Sequence, residues 1–333
     1  MKSIFIAEAG VNHNGKLKNA KKLIDAASAA GADYVKFQWY KTDNLIKKKT
    51  ETAKYQKKNY GVEISQYDLL KKYELGYGDF KKLIVYSKKK KIRFLCSVFD
   101  EESFENLIKL KVFEVKIPSG EINNIPLLQK ITKKAKRVFI SCGMSNLKEI
   151  SFALNLLKKN KKLYKNLYLL HCHTDYPTKL EDVNLRAMNY LRNKFKIQVG
   201  YSDHTSCSKT GMAAIAMEAK VIEKHFTLSK NLQGPDHKAS LEPKKLKSFI
   251  KDLRDVEKLL GSEKKKISSS EKLNKRFVRK SIIAKKIIKK GERFTKENLI
   301  CKRPEGGLSP NLWFKVIGKK AKKNFDKDQN ISI

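Results

Sequence analysis

Eight short runs rich in β-branched and aromatic residues recur along the chain, and stretches with helical spacing lie between them. The runs are 3–10 (SIFIAEAG), 33–38 (DYVKFQ), 92–99 (IRFLCSVF), 113–118 (FEVKIP), 137–143 (RVFISCG), 167–174 (LYLLHCHT), 197–205 (IQVGYSDHT) and 220–228 (KVIEKHFTL). Parallel strands need a crossover between them, and a helix is the usual one. Eight such units in roughly 260 residues predict an α/β fold of the (β/α)8 TIM-barrel type. A doubly wound open sheet is the competing topology, but no G-x-G-x-x-G follows the first run.

The intervening segments carry helix signals. In 16–31, Leu17, Ala20, Ile24 and Ala27 share one face and Gly31 suits the end. In 243–261, Leu246, Phe249, Ile250, Leu253, Val256 and Leu260 form a stripe, with Pro243 at its start and Gly261 at its end. Residues 45–80 form a longer insertion after the second run, with Tyr55, Tyr60, Tyr67 and Tyr73, and are expected to cover a site. The barrel is expected over 1–261. Residues 262–277 are polar and read as a linker, and 278–333 read as a small β-rich domain near the lower size limit for independent stability.

The net charge of +40 raises nucleic-acid binding as a function class. Only nine of the 74 basic residues are arginine, the preferred residue for forked phosphate and base contacts, and no zinc-finger or RNP pattern accompanies them. A solvated lysine surface that steers anionic substrates inward is the simpler expectation. No apolar run reaches the ~18 residues a membrane span needs. The first residues lack a signal-peptide cleavage site, and the five cysteines include no C-x-x-C pair. A cytoplasmic location is expected.

In a barrel of this type, chemistry gathers at the C-terminal strand ends. Here all eight ends carry reactive groups. They include Glu8 with Asn12, His13 and Asn14; Lys36 and Gln38; Ser97 and Asp100; Lys116, Ser119 and Glu121; and Ser141. His171, His173, Thr174 and Tyr176 follow the sixth run, Ser202, Asp203 and His204 end the seventh, and Glu223 and His225 end the eighth. Lys36 and Lys116 with Ser119, Ser141 and Ser202 could hold a phosphate or carboxylate, or simply line the barrel. His204 and His225 end adjacent strands. Two imidazoles with open positions suit a divalent metal, and a buried core pair would look the same.

IAEAGVNHNG (6–15), VKFQ (35–38), KIPSGE (116–121), SCGMS (141–145), YSDHT (201–205), EKHFTL (223–228) and GPDHKASLEP (234–243) together resemble the sialic acid synthase family. KKGE and ICKRPEGGLSP, near the end, are similar to that family's antifreeze-like (SAF) domain. The resemblance covers essentially the whole chain in order. It implies condensation of phosphoenolpyruvate with an N-acetylated amino sugar to a nine-carbon 2-keto acid, with C–O cleavage and release of phosphate. N-acetylmannosamine is the first expected acceptor, giving N-acetylneuraminate. A 6-deoxy 2,4-diacetamido mannose, giving N,N'-diacetyllegionaminate, is the second. GPDHKASLEP does not resemble the pseudaminate branch.

The resemblance also implies roles. His204 and His225 match the ligands of a divalent ion, usually manganese, with magnesium and cobalt as other candidates. Lys36, Lys116, Ser97, Ser119, Ser141 and Ser202 match the phosphoenolpyruvate side, with Gln38 nearby. Tyr176 and Asp236 match sugar positions. Glu121 matches the proton-transfer glutamate, and Glu8 is a second catalytic candidate. Arg303 matches an arginine that reaches the sugar's acyl group from a partner subunit, so a domain-swapped homodimer is expected. In 221–228, Glu223 and His225 alternate onto the barrel interior, and Lys224 points toward the helix layer or solvent. His173, Asp175 and Ser229 depart from the family pattern, the first two near the sugar site. From other classes, Lys116 could be a Schiff-base lysine of an aldolase, and the basic surface a nucleic-acid binder.

Overall fold

The structure, a computed structural model, describes residues 2–50 and 65–333. Tyr55 and Tyr60 of the expected cover lie outside the described residues. The chain divides into two compact units, Met1–Gly261 and Ser262–Ile333.

In the first unit, eight parallel strands close into a barrel in sequence order. They are β1 (Ile4–Gly10), β2 (Tyr34–Trp39), β3 (Arg93–Val98), β4 (Glu114–Ile117), β5 (Arg137–Ser141), β6 (Leu167–Cys172), β7 (Gln198–Asp203) and β8 (Val221–His225). Seven lie within their sequence runs, and β2 extends one residue past its run, to Trp39. β1 closes the ring on β8, pairing Ile6 with Glu223 and Glu8 with His225.

Side chains on the outer faces meet the helices. Helix Leu17–Ala30 buries Ala20, Leu23, Ile24, Ala27 and Ala30 and ends at Gly31, whose φ of +82° is left-handed. Helix Pro243–Leu260 buries Leu246, Phe249, Ile250 and Leu253. The expected stripe fades beyond them: Val256 is half-buried and Leu260 exposed, because the helix outruns the barrel it packs on. Each fully buried Leu, Ile or Phe in this layer contributes roughly 1.5–3 kcal/mol. Trp39 of β2 stacks on Phe80 with ring centroids 4.0 Å apart.

The second unit has a core of its own, with Ile282, Ile288, Phe294, Leu299, Val316 and Phe325 at its centre. Its sheet pairs β9 (Ser281–Ala284) antiparallel with β10 (Leu299–Lys302). The segment expected to be a plain linker contains helix Ser269–Val278. The reason is local: Ser268 accepts from the Glu271 amide and the Glu271 side chain accepts from the Ser268 amide, a capping box written in the sequence SSSE. None of that helix's residues is buried. Among the described residues, no helix is long and apolar enough to cross a membrane.

Candidate active site

The barrel interior changes character partway up. Ile6, Tyr34, Leu95, Phe139, Tyr168, Leu170 and Val221 form a packed apolar plug. Gly200 makes room for it: a Cβ there would lie 2.5 Å from the Val221 carbonyl oxygen and 2.7 Å from Leu170 Cδ2. Two residues further along each strand, the period of two brings in Glu8, Lys36, Ser97, Ser141, Cys172, Ser202 and Glu223. Lys116 of β4 joins them. Every one of these is buried.

Glu223 is the hub of this layer. Lys116 Nζ donates to its Oε1 at 3.0 Å and lies 3.3 Å from its Oε2. Lys36 Nζ lies 3.2 Å from its Oε2, and Ser202 Oγ donates to its Oε1 at 2.9 Å. Lys36 also donates to Ser97 Oγ at 2.9 Å and lies 3.3 Å from Glu8 Oε1, which accepts from Gln38 Nε2 at 3.3 Å.

The two carboxylates are driven apart. Burial alone would raise Glu223, but Lys116 and Lys36, with the bonds from Lys116 and Ser202, outweigh it and hold it well below the usual range. Burial pushes Glu8 up to about 7; Lys36 opposes and the charge on Glu223 adds. Burial lowers the Lys116 ammonium, with Glu223 resisting. Lys36 is raised: burial opposes its charge, but Glu223 and Glu8 prevail. Two ammoniums face one firmly ionised carboxylate and a second, Glu8, that is only partly ionised near neutral pH, which leaves the layer with surplus positive charge. Glu8 Oε2 and Ser141 Oγ are buried without a hydrogen-bond partner, polar capacity that an entering anion or its proton could take up.

Above this layer, His204 and His225 bring their ring centroids to 5.6 Å, and the Tyr176 ring lies 4.2 Å from that of His204. His204 Nδ1 lies 2.6 Å from the His173 carbonyl oxygen, which can only accept, so this nitrogen carries the proton. Nε2 is then bare. Its neighbour Ser202 Oγ, at 3.3 Å, gives its single hydrogen to Glu223. Burial lowers His204 to about 4, and burial together with His204, Lys36 and Lys116 puts His225 well below its ordinary value despite Glu223. Among the described residues, His225 Nδ1 is buried without a hydrogen-bond partner, with Asp236 Oδ2 4.0 Å away. Two neutral imidazoles with bare nitrogens fit a divalent ion. Among the described residues, no group of three or more such ligands forms, so an ion held here would keep open positions.

The loops carrying these groups are pinned from outside the barrel. Lys224 is buried and faces the helix layer, where its Nζ donates to Asp203 Oδ2 at 2.7 Å and to the Thr205 carbonyl at 2.6 Å. Asp203 also accepts from the Thr205 amide and hydroxyl at 2.9 and 2.8 Å. The Asn12–Asn14 loop is tied to the segment after β8. Asn12 Nδ2 donates to the Phe226 carbonyl at 2.7 Å and to Ser240 Oγ at 3.0 Å, and Asn14 Oδ1 meets His237 Nε2 at 3.0 Å. His171 is likewise tied down, 2.9 Å from the Val183 carbonyl. Of the residues that depart from the family pattern, His173 serves the site through its backbone, and Asp175 accepts from the Tyr176 amide at 3.0 Å.

A cavity of about 400 Å³ opens on the layer. Glu8, Lys36, Gln38, Ser97, Lys116, Ser119, Glu121, Ser141, Tyr176, Ser202, His204, His225 and Asp236 all line it. Burial raises Glu121, against a 2.7 Å hydrogen bond from Asn124, and raises Asp236 to about 6. Ser119 Oγ accepts from the Gly143 amide at 3.0 Å and lies 3.3 Å from Cys172 Sγ. Arg303 belongs to the second unit, where it is exposed beyond β10. The sequence placed Glu223 at a strand end on the barrel interior, by its alternation with His225, but gave it no role. Cys172 and an apolar part of the lining were missed from sequence. Of the expected cover, Tyr73 lines the cavity, and Tyr67 turns its hydroxyl to Asp43.

The NeuB family profile matches residues 23–265, and the SAF domain profile matches 279–332. The chain is 50% identical over 332 residues to N,N'-diacetyllegionaminic acid synthase of Campylobacter jejuni subsp. jejuni serotype O:2, covering 99% of each chain. It is 43% identical to the protein of the same name from Legionella pneumophila, covering 97% of this chain and 92% of that one. Among solved structures, it matches the N-acetylneuraminic acid synthetase of Leptospira borgpetersenii serovar Hardjo-bovis in complex with citrate. That match has a TM-score of 0.72 and 34% identity, and covers 82% of this chain and 90% of the other. The chain belongs to the NeuB family.

Proposed function

We propose that this NeuB-family chain is a nonulosonic acid synthase that joins phosphoenolpyruvate to the open-chain aldehyde of an acetamido sugar. The observation that carries this reading is the surplus-positive buried layer of Lys36, Lys116 and Glu223 set directly below two neutral imidazoles. The layer suits a small polyanion, and the imidazoles would suit a divalent ion.

Lys36 and Lys116, with the hydroxyls of Ser97, Ser119, Ser141 and Ser202, bind the phosphate and carboxylate of phosphoenolpyruvate. His204 and His225 would hold manganese or a similar ion. When bound, the ion supplies Lewis-acid polarisation of the sugar's aldehyde. Tyr176, Gln38 and Asp236 orient the sugar so that its C1 faces the methylene carbon of phosphoenolpyruvate. A carbon–carbon bond forms there, the aldehyde oxygen takes a proton, and C2 is left electron-poor. Water adds at C2, and the bond from C2 to the phosphate oxygen breaks, releasing phosphate and leaving the 2-keto acid. Glu121 and Glu8, both raised by burial, are placed to carry the protons at these steps.

For the acceptor, we propose the 6-deoxy 2,4-diacetamido mannose ahead of N-acetylmannosamine. This reverses the order expected from the motifs, and the names of the relatives at 50% and 43% identity support it. We also propose a domain-swapped homodimer in which Arg303 of one subunit meets the sugar in the other.

The test is a product assay with phosphoenolpyruvate and each sugar, reading phosphate release and product mass. A nine-carbon keto acid is expected, lost on chelation and restored by manganese. Full, chelator-insensitive activity in His204→Ala and His225→Ala would remove the metal assignment. Borohydride trapping of Lys116 in a covalent adduct would favour an aldolase instead.

A further inference from the structure

The cavity is lined by two unlike surfaces. One is the layer of charged and hydroxyl groups. The other is hydrocarbon, made by Val11, Leu45, Leu69, Leu70 and Phe99. With Tyr40 and Tyr73 these residues form an apolar cluster of their own, separate from the cluster between sheet and helices. Leu45, Leu69 and Leu70 come from the insertion after β2, which the barrel does not require for closure.

This wall is braced from behind. Tyr40 donates its hydroxyl to the Leu70 carbonyl at 3.0 Å. Glu74 Oε2 accepts from the Thr42 amide at 3.0 Å and its hydroxyl at 2.7 Å. Ser65 caps helix Gln66–Tyr73 by accepting from the Asp68 amide at 3.1 Å. The helix is therefore tied to the short helix Thr42–Leu45, with Leu69 buried and Leu45, Leu70 and Phe99 half-buried against the cavity. Hydrocarbon left half-covered inside a cavity gains when a ligand methyl completes its burial, and it disfavours a hydroxyl that would lose water without finding a partner.

We infer that this wall reads the methyl groups of the acceptor sugar and sets the preference for a diacetamido, 6-deoxy acceptor over N-acetylmannosamine. The inference rests on the synthase reading. The charged layer and the two imidazoles fix where the sugar's C1 must react, so its remaining carbons and acyl groups are left to the rest of the lining. A terminal deoxy carbon and a second acetyl group both present methyls. N-acetylmannosamine presents a hydroxymethyl and a hydroxyl in their places. Leu70, Leu45 and Phe99 are the specificity-determining residues.

The experiment compares kcat/KM for the two sugars in the wild type, Leu70→Ala, Leu45→Ala and Leu70→Met. Removing one hydrocarbon contact of this kind changes discrimination by roughly ten-fold or more. The ratio favouring the diacetamido sugar should fall by about that factor in each alanine variant, mainly through the sugar's KM. Leu70→Met, apolar and of similar volume, should keep most of the ratio. Should Leu70→Ala fail to fold, Leu45→Ala carries the same test. An unchanged ratio in folded alanine variants, or equal losses for both sugars, overturns the wall's role and leaves the synthase reading standing. A wild type that prefers N-acetylmannosamine does the same. A wild type that makes no keto acid from either sugar overturns both.

Discussion

Lys116 Nζ sits 3.0 and 3.3 Å from the two carboxylate oxygens of Glu223, and Lys36 approaches the same carboxylate at 3.2 Å. All three side chains are almost wholly buried. Two ammoniums thus share one carboxylate in the resting protein, with Glu8 Oε1 also 3.3 Å from Lys36, and an incoming anion would balance the charge that Glu223 leaves over.

The first prediction follows from that arrangement. Glu223→Gln keeps the shape and removes the charge, leaving Lys116 without its carboxylate and Lys36 with Glu8 alone. Breaking a buried pair in this way costs about 3–5 kcal/mol. The ligand-free variant should therefore melt well below the wild type, and phosphoenolpyruvate should raise its melting temperature by more than it raises that of the wild type. Equal ligand-induced shifts in the two proteins would contradict the shared neutralisation.

A second prediction concerns the outer side of the same strand. Lys224 and Asp203 form a buried pair with a 2.7 Å contact that fixes the turn carrying His204. Asp203→Asn strands the ammonium of Lys224 and should destabilise the barrel by about 3–5 kcal/mol. Lys224→Met added to it should recover part of that loss, because an apolar pair can replace a buried ion pair. Additive losses in the double-mutant cycle, measured by chemical denaturation, would show that the two residues are not coupled.

The third is a pH dependence. The Gly15 amide donates to His13 Nδ1 at 3.0 Å, so the ring is neutral with its proton on Nε2. Burial, helped by His237, lowers His13 to about 4 from an ordinary 6.5. The unfolded chain therefore binds a proton at this site that the folded one refuses. Stability is full above about pH 6.5 and falls as pH drops toward 4, by roughly 3 kcal/mol for this residue. His13→Asn should flatten that acid limb of the melting curve. A limb as steep as in the wild type would place its origin elsewhere.

The fourth tests the proposed exchange of second units between subunits. Glu121→Ala and Arg303→Ala are each expected to be nearly inactive alone. If Arg303 works across subunits, a mixed dimer has one site with both lesions and one with neither. Random reassortment should then recover roughly a quarter of wild-type activity. No recovery after confirmed subunit exchange would assign Arg303 to its own subunit's site.

By itself, the sequence determined the barrel and most of the cavity lining. Eight β runs with helical spacers leave few other closed arrangements, and the period of two along each run decides which side chains face inward. That is why Lys36, Lys116, Ser141, Ser202 and His225 could be named as site candidates from their places in the runs. The capping box at Ser268 and Glu271 was equally local and went unread, because the polar residues around it suggested a linker.

What the tertiary structure alone decided depends on distances between strands far apart in sequence. Glu223 became the hub only when closure of the ring brought it within reach of Lys36 and Lys116. The divergence of Glu8 and Glu223, one held near neutral pH and the other firmly ionised, arises from which ammoniums each carboxylate meets once water is excluded. Asn12 and His237 looked chemical in the sequence and tie distant loops together in the fold, since their partners lie far along the chain. The apolar wall came from an insertion with no strand period to mark which way its leucines face. Bonds such as those from Tyr40 to the Leu70 carbonyl and from Thr42 to Glu74 hold it against the cavity.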